Sequence, residues 1–154
     1  KTFVIGIGAT ITVDIWIYVL GLFNIKSLDY RFVGRWIGNF PKGKFFHQNI
    51  IETEPVKGEL DIGWIAHYVI GINFAFFLFL FCGKEWIQNP QIYSAVFWGI
   101  LTVVAPLFIM QPAFGFGIAS SNLSKPNIRR IKSLLTHLIY GIGLYIAAFL
   151  VKQF

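Results

Sequence analysis

Four stretches of the chain are apolar almost without interruption, and the polar residues fall between them. The runs cover about residues 3–23, 62–82, 92–111 and 131–151. Each reaches the ~17–25 residues that a helix needs to cross a bilayer. None shows the period-two alternation of a barrel strand, and in lipid only helices or closed barrels satisfy their own backbone. The pattern predicts an all-α polytopic membrane protein, with four transmembrane helices making one bundle domain over residues 1–154. A signal peptide would also begin with such a run. The first run is long, carries Asp14 and lacks a small-residue cleavage site, so it is expected to stay as a helix of the mature protein.

Between the first two runs the period changes. In "SLDYRFVGRWIGNF", Leu28, Phe32, Trp36 and Phe40 recur every four residues, with Val33 and Ile37 beside them and Arg31 and Arg35 on another face. This predicts a short amphipathic helix over about 28–40, capped by Ser27, stopped by Pro41 and lying in the membrane interface. Arg31, Arg35 and Trp36 are its candidate lipid contacts. Glu52, Glu54, Glu59 and Asp61 read as solvated loop charges. Farther on, Pro112, Gly115, Gly117 and Pro126 interrupt any helix. The pattern leaves residues 112–126 open as either a plain loop or a re-entrant segment.

Composition agrees with the runs. Apolar residues make up 56% of the 154 and charged residues 13%, against about 25% charged in an ordinary soluble domain. Too few polar groups remain to cover a surface in water. The net charge of +6 would suggest nucleic acid if it formed a basic face on a soluble fold. Instead, ten of the 13 basic residues flank two loops: Lys26, Arg31, Arg35, Lys42, Lys44 and Lys57, then Lys125, Arg129, Arg130 and Lys132. The positive-inside rule puts both loops in the cytoplasm and both termini in the periplasm. No nucleic-acid role is expected. The single cysteine, Cys82, excludes internal disulfides. The lipid bilayer is the expected partner. Four helices enclose little space, so a transport role would call for a homo-oligomer or a larger membrane complex.

Chemistry would have to come from ionisable groups inside the runs, which are costly in lipid. There are three: Asp14, His67 and His137. At ~1.5 Å per residue Asp14 lies roughly 13 Å from the cytoplasmic end of its helix, and the histidines roughly 8–9 Å. Gln111 ends the third run on the same side. Gly71 and Gly141 lie one turn beyond the histidines and would admit a neighbouring helix. Gly99, Thr102, Pro106 and Met110 line one face of the third run, where Pro106 frees the carbonyl of residue 102 and kinks the helix.

Three uses of this polar set are open. It can be helix-packing glue, with Asp14 accepting hydrogen bonds from the histidines. It can exchange protons with the cytoplasm for proton-linked handling of a small solute, since histidine titrates near neutrality. Or Asp14, His67 and His137 can hold zinc or ferrous iron in a membrane enzyme. No catalytic or cofactor motif supports an enzyme. "GIGATI" at Gly6 begins like a dinucleotide fingerprint, but Ile11 stands where the third glycine belongs.

Four blocks in order, "SLDYRFVGRW", "GELDIGWIAHYVIG", "MQPAFGFGIA" and "SLLTHLIYGIGLY", resemble a family of small bacterial inner-membrane proteins catalogued as domain of unknown function 2938. The resemblance covers nearly the whole chain and implies a bacterial inner-membrane protein with about four spans. It implies no reaction, substrate or site. It does draw interest to Gln111, Gly115 and Gly117, which lie within the third block.

Overall fold

Proline and glycine decide where the helices stop and where they touch. The computed structural model describes residues 1–153. In chain order it contains α1 (Thr2–Leu22), α2 (Tyr30–Gly38), α3 (Glu59–Gln88), α4 (Ile92–Thr102), α5 (Gln111–Ala113) and α6 (Pro126–Lys152). No strand occurs among the described residues. Four helical stretches are long and apolar enough to cross a membrane: Thr2–Leu22, Glu59–Gln88, Ile92–Ala113 and Pro126–Lys152. The third is composite. Pro106 has no N–H for the carbonyl of Thr102 and its ring crowds that carbonyl, so the α-helix cannot run through. Accordingly α4 ends at Thr102, a π-helical turn occupies Pro106–Met110, and α5 closes the span. The kink predicted at Pro106 is thus a local change of helix type.

The described residues form two compact units. The first holds Lys1–Ser27, Tyr68–Val103 and the chain from Leu134 onward; the second holds Leu28–His67 and Val104–Ser133.

In the first unit, small residues sit where helices cross. A Cβ added to Gly99 on α4 would stand 2.5 Å from the carbonyl oxygen of His137 and 2.6 Å from Cα of Gly141 on α6. One added to Gly6 on α1 would stand 2.6 Å from Cα of Ile72 on α3, and one on Gly8 would stand 2.8 Å from Cβ of Ala147. Gly71 is pressed against the hydroxyl of Thr10. Such contacts let backbones approach and maximise dispersion between helices. The core around them is built from Ala9, Ala75, Ala95, Ala148, Leu78 and Leu144. Many of the phenylalanines point outward: Phe81 is 75% exposed and Phe97 69%. Small residues inside and aromatic residues outside are the reverse of a water-soluble core. The left-handed conformation of Gly83 (φ 74°) bends α3 near its end, and Trp86 beyond it is buried, donating its indole N–H to Ser94 Oγ at 2.6 Å.

In the second unit, α2 lies against the start of α3. Gly34 is pressed on the Glu59 carbonyl, and Gly63 on the Tyr30 carbonyl. The cap of α2 is Asp29, which accepts from Arg31 N at 2.9 Å, and not Ser27. Pro41 lies inside a following 3₁₀ turn, Phe40–Lys42, so it opens the next element where its missing N–H costs nothing. Residues 112–125 are neither a free loop nor a continued helix. Phe114 is fully buried with Val33, Ile50 and Phe116. Backbone bonds from His47 N to Ala113 O (2.8 Å) and from Ile50 N to Phe114 O (2.9 Å) stitch the turn to residues 47–50.

Candidate functional site: polar pairs along the apolar helices

In the first unit the polar groups meet helix by helix. Tyr68 Oη on α3 donates to Asp14 Oδ2 on α1 at 2.7 Å. On α4 the hydroxyl of Thr102 donates to the Gly99 carbonyl at 2.6 Å. That uses its one proton, so the 2.7 Å contact with His137 Nδ1 on α6 is the ring N–H donating to Thr102 Oγ1. Tyr140 on α6 donates to the Gly71 carbonyl of α3 at 2.6 Å, and the Trp98 indole on α4 to the Phe74 carbonyl of α3 at 2.8 Å. All of these bonds except that within α4 join different helices. In membrane interiors such bonds contribute about 0.6 kcal/mol each, and up to ~1.7.

In the second unit, His67 near the start of the apolar run of α3 pairs with Tyr30, the first residue of α2. His67 Nε2 lies 3.1 Å from Tyr30 Oη, and the two rings stack with centroids 4.4 Å apart. Trp64 completes the aromatic group, 4.7 Å from Tyr30 and 5.8 Å from His67. Gln111 accepts from buried Ser120 through Oε1 at 2.9 Å, which holds the 112–125 turn closed.

The centre of this unit is Arg35, and here the expectation of lipid contact is overturned. Arg35 is only 7% exposed. Its Nε and Nη2 grip the Glu59 carboxylate at 2.8 and 2.9 Å. Its Nη1 donates to the carbonyls of Ile50, Ile51 and Thr53 at 3.0, 3.2 and 2.8 Å. The guanidinium also stands 5.5 Å from the Phe32 ring centroid. The hydrogen bond to Glu59 raises the Arg35 pKa further, outweighing burial. A fully engaged guanidinium cannot reach a headgroup. Glu59 is corrected with it: its side chain is 12% exposed, and it also accepts from Val56 N at 3.0 Å. Of the other interfacial candidates, Arg31 is exposed and faces Asp29 at 3.6 Å. Trp36 turns its indole N–H to the Phe45 carbonyl at 2.7 Å and packs on Phe40 and Phe114.

His47 is a polar group of this unit with an open valence. The hydroxyl proton of Thr53 goes to Asn49 O at 2.9 Å, so His47 Nδ1–H donates to Thr53 Oγ1 at 3.2 Å. Nε2 is buried without a hydrogen-bond partner. Burial, and secondarily the charge of Lys44, push the His47 pKa down.

Of the predicted polar set, Asp14 and His137 belong to the first unit, and His67 and Gln111 to the second. Within the first unit Asp14 accepts from Tyr68. Among the described residues no three His, Cys, Asp or Glu side chains gather as a metal-binding group. Pattern reading missed Tyr30, Tyr68 and Glu59. Phenols blend into apolar runs, and Glu59 stands among surface acids.

Residues 3–151 match the family described as protein of unknown function (DUF2938). The chain belongs to this DUF2938 family. The match spans all four long helices and both units. No curated protein and no solved structure matches the chain.

Proposed function

We propose that the four long helices span a membrane and that this DUF2938 protein works as a structural or accessory membrane protein, its buried polar groups fixing helix packing. The observation that carries this reading is that polar groups in each unit bond across to a neighbouring helix of the same unit. Asp14–Tyr68 ties α1 to α3, Thr102–His137 ties α4 to α6, and Tyr30–His67 ties α2 to α3. Close glycine contacts accompany the crossings of α1 with α3, α4 with α6, and α2 with α3. The location proposed with it is a bacterial inner membrane, with the basic loops in the cytoplasm. The distribution of lysine and arginine supports that orientation, and the bilayer is the constant partner.

One observation favours a second reading, proton-linked handling of a small solute. An asparagine would accept the Tyr68 hydrogen bond as well as Asp14 does, yet the chain keeps a titratable carboxylate there. Asp14→Asn separates the two. In vesicles loaded with a pH-sensitive dye, the structural reading expects no proton flux that depends on Asp14. It also expects Asp14→Asn to melt within a few degrees of the parent, and Asp14→Leu to melt lower. A proton flux lost in Asp14→Asn at unchanged thermal stability would replace the structural reading with the second.

A further inference from the structure

With Arg35 turned inward, the segment between α1 and α3 still carries exposed cations, and two stand beside a pair of exposed phenylalanines. The tip "FPKGKFF", residues 40–46, holds exposed Lys42 and Lys44, and no acidic residue occurs from Phe40 to Gln48. Phe45 is 51% exposed and Phe46 76%.

The tip is built, not frayed. After the 3₁₀ turn, Gly43 takes the left-handed conformation (φ 69°) that reverses the chain. Gly43 N donates to Phe40 O at 2.9 Å and Lys44 N to Asn39 O at 3.3 Å. The Trp36 indole holds the far side through the Phe45 carbonyl at 2.7 Å. The Phe40 ring packs between those of Trp36 and Phe45, with centroids 5.0 and 5.1 Å away. Trp36, an expected lipid contact, fixes the turn that presents two phenylalanines outward. In water an aromatic tip held this way is unfavourable, and such patches mark contact sites.

We propose that residues 42–46 dock on the anionic surface of the bilayer, with Phe45 and Phe46 entering the headgroup region and Lys42 and Lys44 pairing with lipid phosphates. Charge complementarity selects this occupant. Aromatic residues beside lysines partition at the interface, and each lysine near an anionic surface favours docking about five-fold. The segment is joined at both ends to helices proposed to span, which keeps the tip within reach of headgroups. The inference rests on that membrane placement.

The single native cysteine makes the test direct. In full-length protein carrying Cys82→Ser, a nitroxide is attached at Phe46→Cys, with Lys57→Cys and Phe97→Cys as separate references. Each is reconstituted in neutral phosphatidylcholine vesicles and in vesicles enriched in anionic phosphatidylglycerol. Collisions with oxygen, which concentrates in lipid, are compared with collisions with a water-soluble nickel chelate. Docking expects the Phe46 label to favour oxygen in anionic vesicles. Lys42→Gln with Lys44→Gln should shift it toward the chelate, by about 25-fold in the docking equilibrium. A Phe46 label as open to the chelate as the Lys57 label in anionic vesicles overturns the proposal. So does protection that is unchanged in neutral vesicles and indifferent to the lysines, because the tip is then buried against protein. A chelate-accessible label at Phe97, which lies on α4, would instead overturn the membrane placement.

Discussion

Replacing Arg35 with methionine should undo the second unit while leaving its apolar stem in place. The substitution removes two bonds to the Glu59 carboxylate and three to the carbonyls of Ile50, Ile51 and Thr53. Breaking a buried ion pair from one side costs about 3–5 kcal/mol, because the other charge is left behind. The side chain of Glu59 is only 12% exposed, so water relieves little of that cost. Of the three carbonyl acceptors, only Ile50 belongs to a fully buried residue, and orphaning it adds about 1–3 kcal/mol. The expected loss is about 4–8 kcal/mol, comparable to the whole stability of a small domain. It should therefore appear as local opening. Backbone amides of residues 47–59 should lose hydrogen-exchange protection in detergent micelles, and protease should cut within residues 43–58. Lysine should not rescue, since it cannot form the bidentate grip and reach three carbonyls at once. Adding Glu59→Gln to Arg35→Met should recover part of the loss by removing the stranded charge. If Arg35→Met stays within about 0.5 kcal/mol of the parent, as ordinary surface changes do, the hub role is wrong.

Glycine contacts make the next contrast. Gly99→Ala, whose Cβ would meet the backbone of α6 at 2.5 Å, should lower the melting midpoint by the equivalent of about 1–3 kcal/mol, although alanine is the better helix former. Gly21→Ala, with nothing within 4 Å, should be neutral or slightly stabilising; equal effects at the two sites would refute close packing as the reason for Gly99. Tyr140→Phe removes only the hydroxyl that reaches the Gly71 carbonyl and should cost about 0.6–1.7 kcal/mol, read by thermal unfolding; a neutral result would mean that this bond contributes nothing. The low folded pKa of His47 gives a pH signature. Below the ordinary histidine value of 6.5 the unfolded chain binds a proton that the folded chain resists, so stability is full above that value and falls as pH drops toward the folded pKa. His47→Gln should flatten that slope in melts followed from neutral to mildly acid pH, and an unchanged slope would remove His47 as its source.

The helices were legible because a bilayer imposes a length and forbids charge. Runs starting at Phe3, Ile62, Ile92 and Ile131 needed no knowledge of neighbours, and Gly71 and Gly141 pointed to close approach because small residues mark helix crossings in apolar bundles. Pro106 marked its break for a purely local reason. The cap at Asp29 and the turn at Pro41 were misplaced by one or two residues. Ser27 and Asp29 are both good caps, and proline suits the start of a turn as well as the stop of a helix.

The site was less legible, and the reason is geometric. Depth along a helix follows from counting residues; convergence depends on rotation and on side-chain reach, which counting does not supply. Thr102 was placed on one face with Gly99, and the structure sets that face against His137; a short side chain points where its Cα points. Arg35 was assigned to lipid because its Cα falls beside that of Arg31 on the wheel. Yet a guanidinium reaches several ångströms from its Cα, and on the nine-residue α2 that reach exceeds the difference between faces. The side chain then follows the strongest acceptor available. A desolvated carboxylate and three carbonyls hold it more firmly than hydrated phosphates do, because charge-assisted bonds gain strength where water is excluded. The same reasoning favours the proposed lipid contact at Lys42 and Lys44, which stand exposed in a stretch without acidic residues, beside the phenylalanines of the turn that Trp36 holds in place. A basic residue on an interfacial helix identifies a lipid contact only when no acidic residue within its reach begins the next helix, and Glu59 begins α3.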